Sequence, residues 1–299
     1  MIVIVGAGAA GLAAAFYLKK ANLPFIILEK DEVGATWGKH YQGMKLHSLK
    51  QVSALPGLKM PSSYPAFPSG PQVKNYLQDY AKKLELPIQQ VEVIAVDFDD
   101  KTQLWQLETL NRNHISDTIS SPIVILATGI WNQPYIPNFE GLDRTKIKVI
   151  HAKNYQKAQD FKGLRLLVVG AGNSGAEIAV QLAQAGIKLE LVVRDGLLLL
   201  PYPRSVLGSK LSSLVLHHSP KVLKDKLLGM FRRGYPELGL PLPSKAASEA
   251  YPVISPELVP LVKLGKIKVR PGIRAFTATE VIFENGDKGV YEVVVMARG

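Results

Sequence analysis

Short apolar runs alternate with helical segments along the first part of the chain. Residues 2–5 and 25–28 are uniformly apolar, which is typical of parallel strands buried on both faces. Residues 9–20 between them are rich in Ala and Leu and predict a helix. A second strand–helix–strand pattern follows at residues 166–169, 174–185 and 189–193. The pattern predicts an α/β fold built on two β-α-β units.

Other periodic segments lie between and after these units. Residues 71–84 place apolar side chains on one helical face and begin with a proline, which is favourable at the first helical position. Residues 31–70 are irregular and rich in Gly, Pro and Ser, and a loop of this length is usually functional. The remaining predicted strands are residues 91–98, 103–109, 123–126 (buried), 266–270, 278–283 and 291–296. We expect residues 91–98 and 103–109 to pair with each other around residues 99–101.

A glycine-rich turn joins the first strand to the first helix. Gly6, Gly8 and Gly11 have the GxGxxG spacing that permits a tight turn, approach of a pyrophosphate and close helix–strand packing. The helix N-terminus favours an anion there. Glu29 ends the next strand, and its carboxylate accepts hydrogen bonds from ribose hydroxyls and repels a 2′-phosphate. The first site is predicted to hold FAD or NAD; a glycine turn beside a surface Glu is the alternative.

The second unit repeats this spacing with the opposite charge. Gly170, Gly172 and Gly175 form the turn, and Arg194 ends the following strand. A guanidinium suits a 2′-phosphate through bidentate hydrogen bonds and charge, so the second site is predicted to prefer NADPH. Arg204 is either a second cation of this site or a solvated loop residue. A chain that binds two dinucleotides usually transfers electrons between them, which predicts a redox enzyme.

The order of the elements predicts how the domains are arranged. We expect two Rossmann-like dinucleotide-binding domains in an α/β fold. The NADP domain, residues 163–270, is expected to be inserted into a discontinuous FAD domain formed by residues 1–162 and 271–299.

Composition excludes several classes of protein. The chain has 299 residues, of which 47% are hydrophobic, and it contains no cysteine. A disulfide framework and a dithiol relay are therefore excluded. A chain that begins with a strand predicts no signal peptide, and we expect a cytoplasmic protein. The net charge of +11 suits anionic cofactors and substrates. No motif indicates nucleic-acid binding, and none encodes an oligomeric state.

One basic stretch allows two interpretations. A helix lying on a membrane surface is conceivable, but a solvated face on a packed helix is the preferred interpretation. The basic residues are Lys221, Lys224, Lys226, Arg232 and Arg233, around Leu223, Leu227, Leu228 and Phe231.

Taken together, several further segments resemble the class B flavin-containing monooxygenases, closest to their auxin-forming branch and its bacterial relatives. The most diagnostic is Phe139-Glu140-Gly141 followed by His151 and Tyr155. The other matching segments are residues 34–37, 45–51, 64–68, 126–129, 170–177 and 192–195.

The resemblance implies an NADPH- and FAD-dependent enzyme that inserts one oxygen atom from O2 into a small organic substrate through a flavin C4a-hydroperoxide. Heteroatom oxidation and oxidative decarboxylation of an arylpyruvate-like acid both stay open. His47 and Asn173 are the catalytic candidates; a structural histidine and a simple turn residue are their alternatives. The other cofactor-binding residues that it implies are Lys30, Trp37, Val93, Ala127, Thr128, Gly129 and Ser174.

The end of the chain departs from the family pattern. Relatives have Ala-Thr-Gly where this chain has Ala297-Arg298-Gly299, and they continue with a segment that closes the FAD domain. We therefore expect a C-terminally truncated member. Two other functions remain: an NADPH oxidase or reductase without productive oxygenation, and a non-catalytic NADP(H)-binding protein.

Overall fold

The computed structural model describes residues 1–129, 133–209, 218–231, 234–246, 248–250 and 252–297. The chain forms two compact units, Met1–Gln133 and Pro134–Gly299. In chain order the helices are α1 Ala9–Lys20, α2 Ala35–Gly38, α3 Lys50–Ser53, α4 Gly70–Lys83, α5 Asn173–Gln184, α6 Lys221–Gly229 and α7 Leu258–Lys263.

The strands of the first unit are β1 Ile2–Val5, β2 Phe25–Glu29, β3 Ile88–Gln90, β4 Glu92–Asp99, β5 Leu104–Leu110, β6 Ser116–Ser121 and β7 Val124–Leu126. The strands of the second unit are β8 Lys148–His151, β9 Leu166–Val169, β10 Leu189–Val192, β11 Leu198–Leu199, β12 Pro252–Val253, β13 Ile267–Arg270, β14 Ile273–Phe276, β15 Glu280–Phe283, β16 Lys288–Val290 and β17 Val293–Met296.

The first unit has three layers around a four-stranded parallel sheet of order β3-β2-β1-β7. Alternate residues of β1 face opposite sides of this sheet. Ile4 packs in the core cluster that contains side chains of α1 and α4. Val3 and Val5 pack instead against residues of the antiparallel sheet β4-β5-β6, including Leu107. Burial on both faces explains why β1 carries no polar residue.

The predicted strand at residues 123–126 is correct in type but not in burial. Among the described residues, strand β7 pairs only with β1 and forms the edge of the sheet. The exposed fractions of Ile123 and Leu126 are 51% and 66%. An edge strand has one neighbouring strand instead of two, so its side chains are covered less completely.

The second unit repeats the same three layers. Its five-stranded parallel sheet has the order β13-β10-β9-β17-β8. Helix α5 covers one face, and the antiparallel sheet β14-β15-β16 covers the other through Phe276, Val281 and Phe283. The predicted fold class of two Rossmann-like α/β units is confirmed.

A polar cluster fastens the antiparallel sheet of the second unit to its parallel sheet. The Glu190 carboxylate accepts hydrogen bonds from the Arg270 guanidinium and, at 2.6 Å, from the Tyr291 hydroxyl. Arg270 also donates to Asp287 at 3.1 Å and lies over the Phe283 ring. Burial alone would raise the pKa of Glu190, but these hydrogen bonds and the Arg270 charge lower it.

The predicted domain boundaries are wrong at both ends of the second domain. Residues 134–162 and 271–296 belong to the second unit, not to the first. Strand β17 lies between β9 and β8 in the second sheet, and β14 to β16 cover one face of that sheet. The sequence pattern predicted these strands without showing which sheet they join. A segment returning to the first unit is therefore not found within residues 271–296.

Helix α6 forms the centre of the basic stretch. None of its residues is fully buried, and the exposed fraction of Val222 is 81%. Leu227 and Leu228 are partly buried, whereas Lys221 and Lys226 are exposed, so both interpretations of this stretch stay predictions. Arg232 and Arg233 lie outside the described residues. Within the described part of the chain, no helix combines the length and apolar character needed to cross a membrane.

Candidate functional site

Backbone contacts exclude side chains at two of the three glycines of the first turn. Gly6 has a φ of 108°, and a Cβ there would lie 2.5 Å from the Ala127 carbonyl oxygen. A Cβ on Gly11 would lie 2.0 Å from the Gly6 carbonyl oxygen. Both positions therefore require glycine for the turn to form and for α1 to pack beside β1.

Gly8 differs from Gly6 and Gly11 because the space where its side chain would lie is open. No heavy atom lies within 4 Å of a Cβ built there. Gly8 is also the N-cap of α1, and no side chain caps this helix. The first N–H groups of a helix have no intrahelical partner, and the helix dipole favours negative charge beside them. The turn therefore fits an anionic group such as a diphosphate.

Glu29 is tied to the glycine turn by its carboxylate. Its Oε2 accepts a hydrogen bond from the Ala7 N–H at 2.7 Å, and its Oε1 accepts one from the Asp31 N–H at 2.9 Å. Each carboxylate oxygen retains a second acceptor position. The predicted ribose acceptor therefore lies beside the predicted diphosphate cradle, held there by two backbone donors.

The other predicted flavin residues of the first unit occupy different environments. Lys30 forms an ion pair with Glu92 at 3.5 Å, and both side chains are about half exposed. Trp37 packs at the margin of the core and contacts the His40 ring edge-on at 5.8 Å. His47 is half-buried in the irregular segment that follows α2. Val93 is partly buried and packs against the core cluster between the two sheets.

The segment after β7 reaches the glycine turn with its backbone. The Ala127 N–H donates to the Val5 carbonyl at 2.8 Å, and the Ala127 side chain faces Gly11. Thr128 and Gly129 follow and are exposed. Gly129 has a φ of 80° with no atom within 4 Å of a Cβ built on it. These three residues therefore lie next to the candidate diphosphate site.

The second glycine turn has the same geometry. Gly170 has a φ of 97°. A Cβ on Gly175 would lie 1.9 Å from the Gly170 carbonyl oxygen and 3.1 Å from the Ala297 side chain. Gly172 is the N-cap of α5, without a side-chain cap, and no atom lies within 4 Å of a Cβ built on it. This turn also fits a diphosphate.

Asn173 joins the second turn to a distant segment. Its amide nitrogen donates to the Pro252 carbonyl at 3.1 Å, and its amide oxygen accepts from the Ile254 N–H at 2.9 Å. One hydrogen of the amide nitrogen and one acceptor position of the oxygen remain for a ligand. Ser174 is exposed in the first turn of α5. The amide therefore supports the turn, whatever else it contacts.

Arg194 lies two residues beyond the end of β10 and is exposed. The next residue, Asp195, accepts hydrogen bonds from the backbone N–H groups of Gly196 and Ser244 and from the Ser244 hydroxyl. These hydrogen bonds, that from the Ser244 backbone above all, lower the pKa of the Asp195 carboxyl. Arg204 is exposed in the segment after β11.

The residues of the diagnostic motif have structural roles. Phe139 packs against Phe276 at 5.7 Å between ring centres. A Cβ on Gly141 would lie 2.1 Å from the Phe276 carbonyl oxygen. The His151 Nδ1 accepts a hydrogen bond from the Lys153 N–H at 3.0 Å. Tyr155 is fully buried and stacks on Phe161. The motif therefore fixes the packing of the segment that precedes β9.

Two features of the site were not found from the sequence. The hydrogen bond from the Ala7 N–H to the Glu29 carboxylate joins residues 22 positions apart, and the one from the Ser244 N–H to the Asp195 carboxylate joins residues 49 positions apart. An acidic residue directly after Arg194 was the only available signal for the second. Arg298, where relatives have Thr, lies outside the described residues. Among the residues that the structure describes, no group of three His, Asp or Glu side chains is arranged to hold a metal ion.

Comparison with known proteins gives consistent matches over the chain. The family model for pyridine nucleotide-disulphide oxidoreductase matches residues 3–200. The probable indole-3-pyruvate monooxygenase YUCCA8 of Arabidopsis thaliana is 34% identical, covering 99% of this chain and 74% of that protein. Indole-3-pyruvate monooxygenase YUCCA6 of the same plant is 34% identical, covering 99% and 75%. The solved flavin-containing monooxygenase of Stenotrophomonas maltophilia shares the fold, with a TM-score of 0.76, 21% identity and coverage of 100% and 77%.

Proposed function

The chain belongs to the pyridine nucleotide-disulphide oxidoreductase family and, within it, to the class B flavin-containing monooxygenases, and we propose that it uses FAD and NADPH to insert one oxygen atom from O2 into a small organic substrate. It is a flavin-dependent monooxygenase. The disulphide chemistry in the family's description requires cysteines, which this chain does not contain.

The observation that carries the proposal is the pair of open helix N-termini with opposite charges at the neighbouring strand ends. Gly8 and Gly172 each leave space for a diphosphate. The Glu29 carboxylate of the first unit disfavours a 2′-phosphate, whereas the Arg194 guanidinium of the second favours one. FAD has no 2′-phosphate and NADPH has one, so we assign FAD to the first unit and NADPH to the second.

When bound, the two cofactors supply the hydride transfer and the reaction with O2. The protein residues bind and orient them. Glu29 accepts hydrogen bonds from ribose hydroxyls through its two remaining acceptor positions. Ala127, Thr128 and Gly129 border the diphosphate site, and Lys30, Trp37 and Val93 complete the proposed FAD-binding residues. His47 and Asn173 are proposed to contact the reacting parts of the cofactors.

We propose an arylpyruvate as the substrate to test first. Two relatives at 34% identity are named indole-3-pyruvate monooxygenases. A net charge of +11 also favours an anionic acid over a neutral sulfide or a protonated amine. Oxidative decarboxylation of indole-3-pyruvate consumes one O2, one NADPH and one proton, and it releases NADP⁺, CO2, water and the acid shortened by one carbon.

The test is the stoichiometry of turnover by protein loaded with FAD. NADPH consumption, acid product and hydrogen peroxide are measured together in air, with and without indole-3-pyruvate. The proposal expects about one acid per NADPH and little peroxide. Peroxide equal to the NADPH consumed, with no oxygenated product from any acid, amine or sulfide tried, would support the oxidase alternative instead.

A further inference from the structure

We propose that Lys245 supplies a second cation of the 2′-phosphate site, and that Asp195 positions it beside Arg194. The proposal rests on the assignment of NADPH to the second unit. Arg194 and Lys245 would then share the charge of one phosphate, which a single exposed guanidinium holds weakly.

The Asp195 carboxylate anchors the segment that carries Lys245. Its Oδ1 accepts from the backbone N–H groups of Gly196 and Ser244, both at 2.8 Å, and its Oδ2 accepts from the Ser244 hydroxyl at 2.7 Å. Three donors on one carboxylate fix the backbone at Ser244. Lys245 is the next residue, so its Cα position is fixed relative to the end of β10.

Close packing holds the same segment from a second side. A Cβ on Gly196 would lie 2.2 Å from the Pro241 carbonyl oxygen and 2.2 Å from the Pro243 nitrogen. The backbone of residues 241–243 therefore lies directly on Gly196. Two prolines in this stretch further restrict its conformations. The segment is held both by hydrogen bonds and by packing within two residues of Arg194.

The charges explain why a second cation is needed here. Asp195 places a negative charge beside the residue that is proposed to bind a phosphate, and like charges repel. Its pKa is lowered mainly by the Ser244 backbone N–H, and the Lys245 charge acts in the same direction. Lys245 directly follows Ser244, which donates to the Asp195 carboxylate, so its positive charge lies on the segment that Asp195 holds. It is also exposed, so its ammonium group can reach a ligand.

This assignment places the second cation on Lys245 and not on Arg204. The sequence left Arg204 open as either a second cation of this site or a solvated loop residue. Lys245 is 51 residues from Arg194 in the chain, and no local spacing connects them. The Asp195–Ser244 hydrogen bonds and the packing of residues 241–243 on Gly196 bring the two segments to the same end of β10.

The test compares two probes that differ only in the 2′-phosphate. Dissociation constants of 2′,5′-ADP and 5′-AMP are measured by calorimetry for the full-length chain and for Lys245→Ala, Lys245→Arg and Arg194→Ala. The matched control is Lys188→Ala, which removes an exposed lysine next to the opposite end of the same strand. Thermal unfolding of every variant is measured in parallel.

We expect Lys245→Ala to weaken the binding of 2′,5′-ADP about tenfold, which is the effect of losing one charge-assisted hydrogen bond. The affinity for 5′-AMP should not change. Lys245→Arg should restore most of the affinity, and Lys188→Ala should change neither probe. Asp195→Ala should lower the preference for 2′,5′-ADP as Lys245→Ala does, because it releases the segment.

Two different failures can be distinguished. If the unmodified chain binds 2′,5′-ADP no better than 5′-AMP, the assignment of NADPH to this unit is wrong, and the role of Lys245 fails with it. If the chain prefers 2′,5′-ADP and Arg194→Ala removes the preference while Lys245→Ala leaves it intact, only the role of Lys245 is refuted.

Discussion

Replacing Gly8 or Gly172 with alanine separates cofactor binding from folding. Their backbone angles, φ −83° and ψ −172° for Gly8 and φ −65° and ψ −177° for Gly172, are allowed for alanine. No protein atom lies within 4 Å of the added Cβ in either case. Alanine is a poorer N-cap than glycine, but it also reduces the entropy of the unfolded chain. These two effects oppose each other, so the free energy of unfolding should change by less than about 1 kcal/mol.

The effect on binding should be much larger. The added methyl group occupies the space through which a diphosphate approaches the helix N-terminus. If the diphosphate loses two charge-assisted hydrogen bonds of about 1.5–3 kcal/mol each, the loss is about 3–6 kcal/mol. That corresponds to about 10²- to 10⁴-fold weaker binding. Gly8→Ala should weaken the binding of FAD alone, and Gly172→Ala should weaken the binding of NADP⁺ alone, because each ligand carries a diphosphate.

The assay is a titration of apoprotein with each ligand, together with urea unfolding of each variant. Gly11→Ala is the contrasting variant, because its Cβ would lie 2.0 Å from the Gly6 carbonyl oxygen and should destabilise the fold itself. The reasoning is refuted if Gly8→Ala binds FAD within threefold of the unmodified chain, or if both variants weaken the same ligand.

Three further variants test individual contacts. Glu29→Gln replaces one carboxylate oxygen with a donor that cannot accept the Ala7 or Asp31 N–H; we expect about 1.5–3 kcal/mol lower unfolding free energy and weaker FAD binding, and unchanged values in both measurements would contradict this. Glu190→Gln should lower the unfolding free energy at pH 7 by about 1.5–3 kcal/mol. Because the pKa of Glu190 is lowered from 4.5 in the folded protein, its contribution is complete above that value and disappears as the pH falls through the lowered pKa, so chemical unfolding should show the two chains converging in acid. Gly141→Ala should be destabilised well beyond the control Gly163→Ala. Both positions have positive φ, but only the Cβ added at Gly141 would lie 2.1 Å from a carbonyl oxygen, that of Phe276. Equal unfolding midpoints of the two variants would argue against this contact.

Local patterns predicted the parts of the fold that depend on neighbouring residues. Helix α1 has the predicted bounds, and Glu29 ends β2 as expected. The pairing of β4 with β5 was also predicted and is confirmed. In each case the apolar period and the glycine positions are set by contacts within one supersecondary unit.

Sheet assignment depended on contacts that sequence spacing does not encode. The pattern of β17 predicts a strand, but only its pairing with β8 and β9 places it in the second sheet. Ile123 and Leu126 are apolar as a buried strand requires, yet they lie on an edge. A strand pattern reports the chemistry of its residues but not the neighbour that it pairs with.

The candidate site divides in the same way. Gly8, Gly172, Glu29 and Arg194 were identified from their spacing. The two glycines are helix N-caps and Glu29 ends β2 as predicted, whereas Arg194 lies two residues beyond the end of β10. The roles proposed for His47 and Asn173 stay predictions. The hydrogen bonds of Asn173 to the Pro252 carbonyl and the Ile254 N–H had no sequence signal, because they join segments about 80 residues apart.

The visible spectrum of protein incubated with FAD and freed of unbound cofactor tests the central claim most directly. The account predicts that flavin absorption bands remain with the protein, and that NADPH under anaerobic conditions bleaches them faster than NADH does. A folded protein that retains no flavin, or whose bound flavin is not reduced by NADPH, would contradict the account.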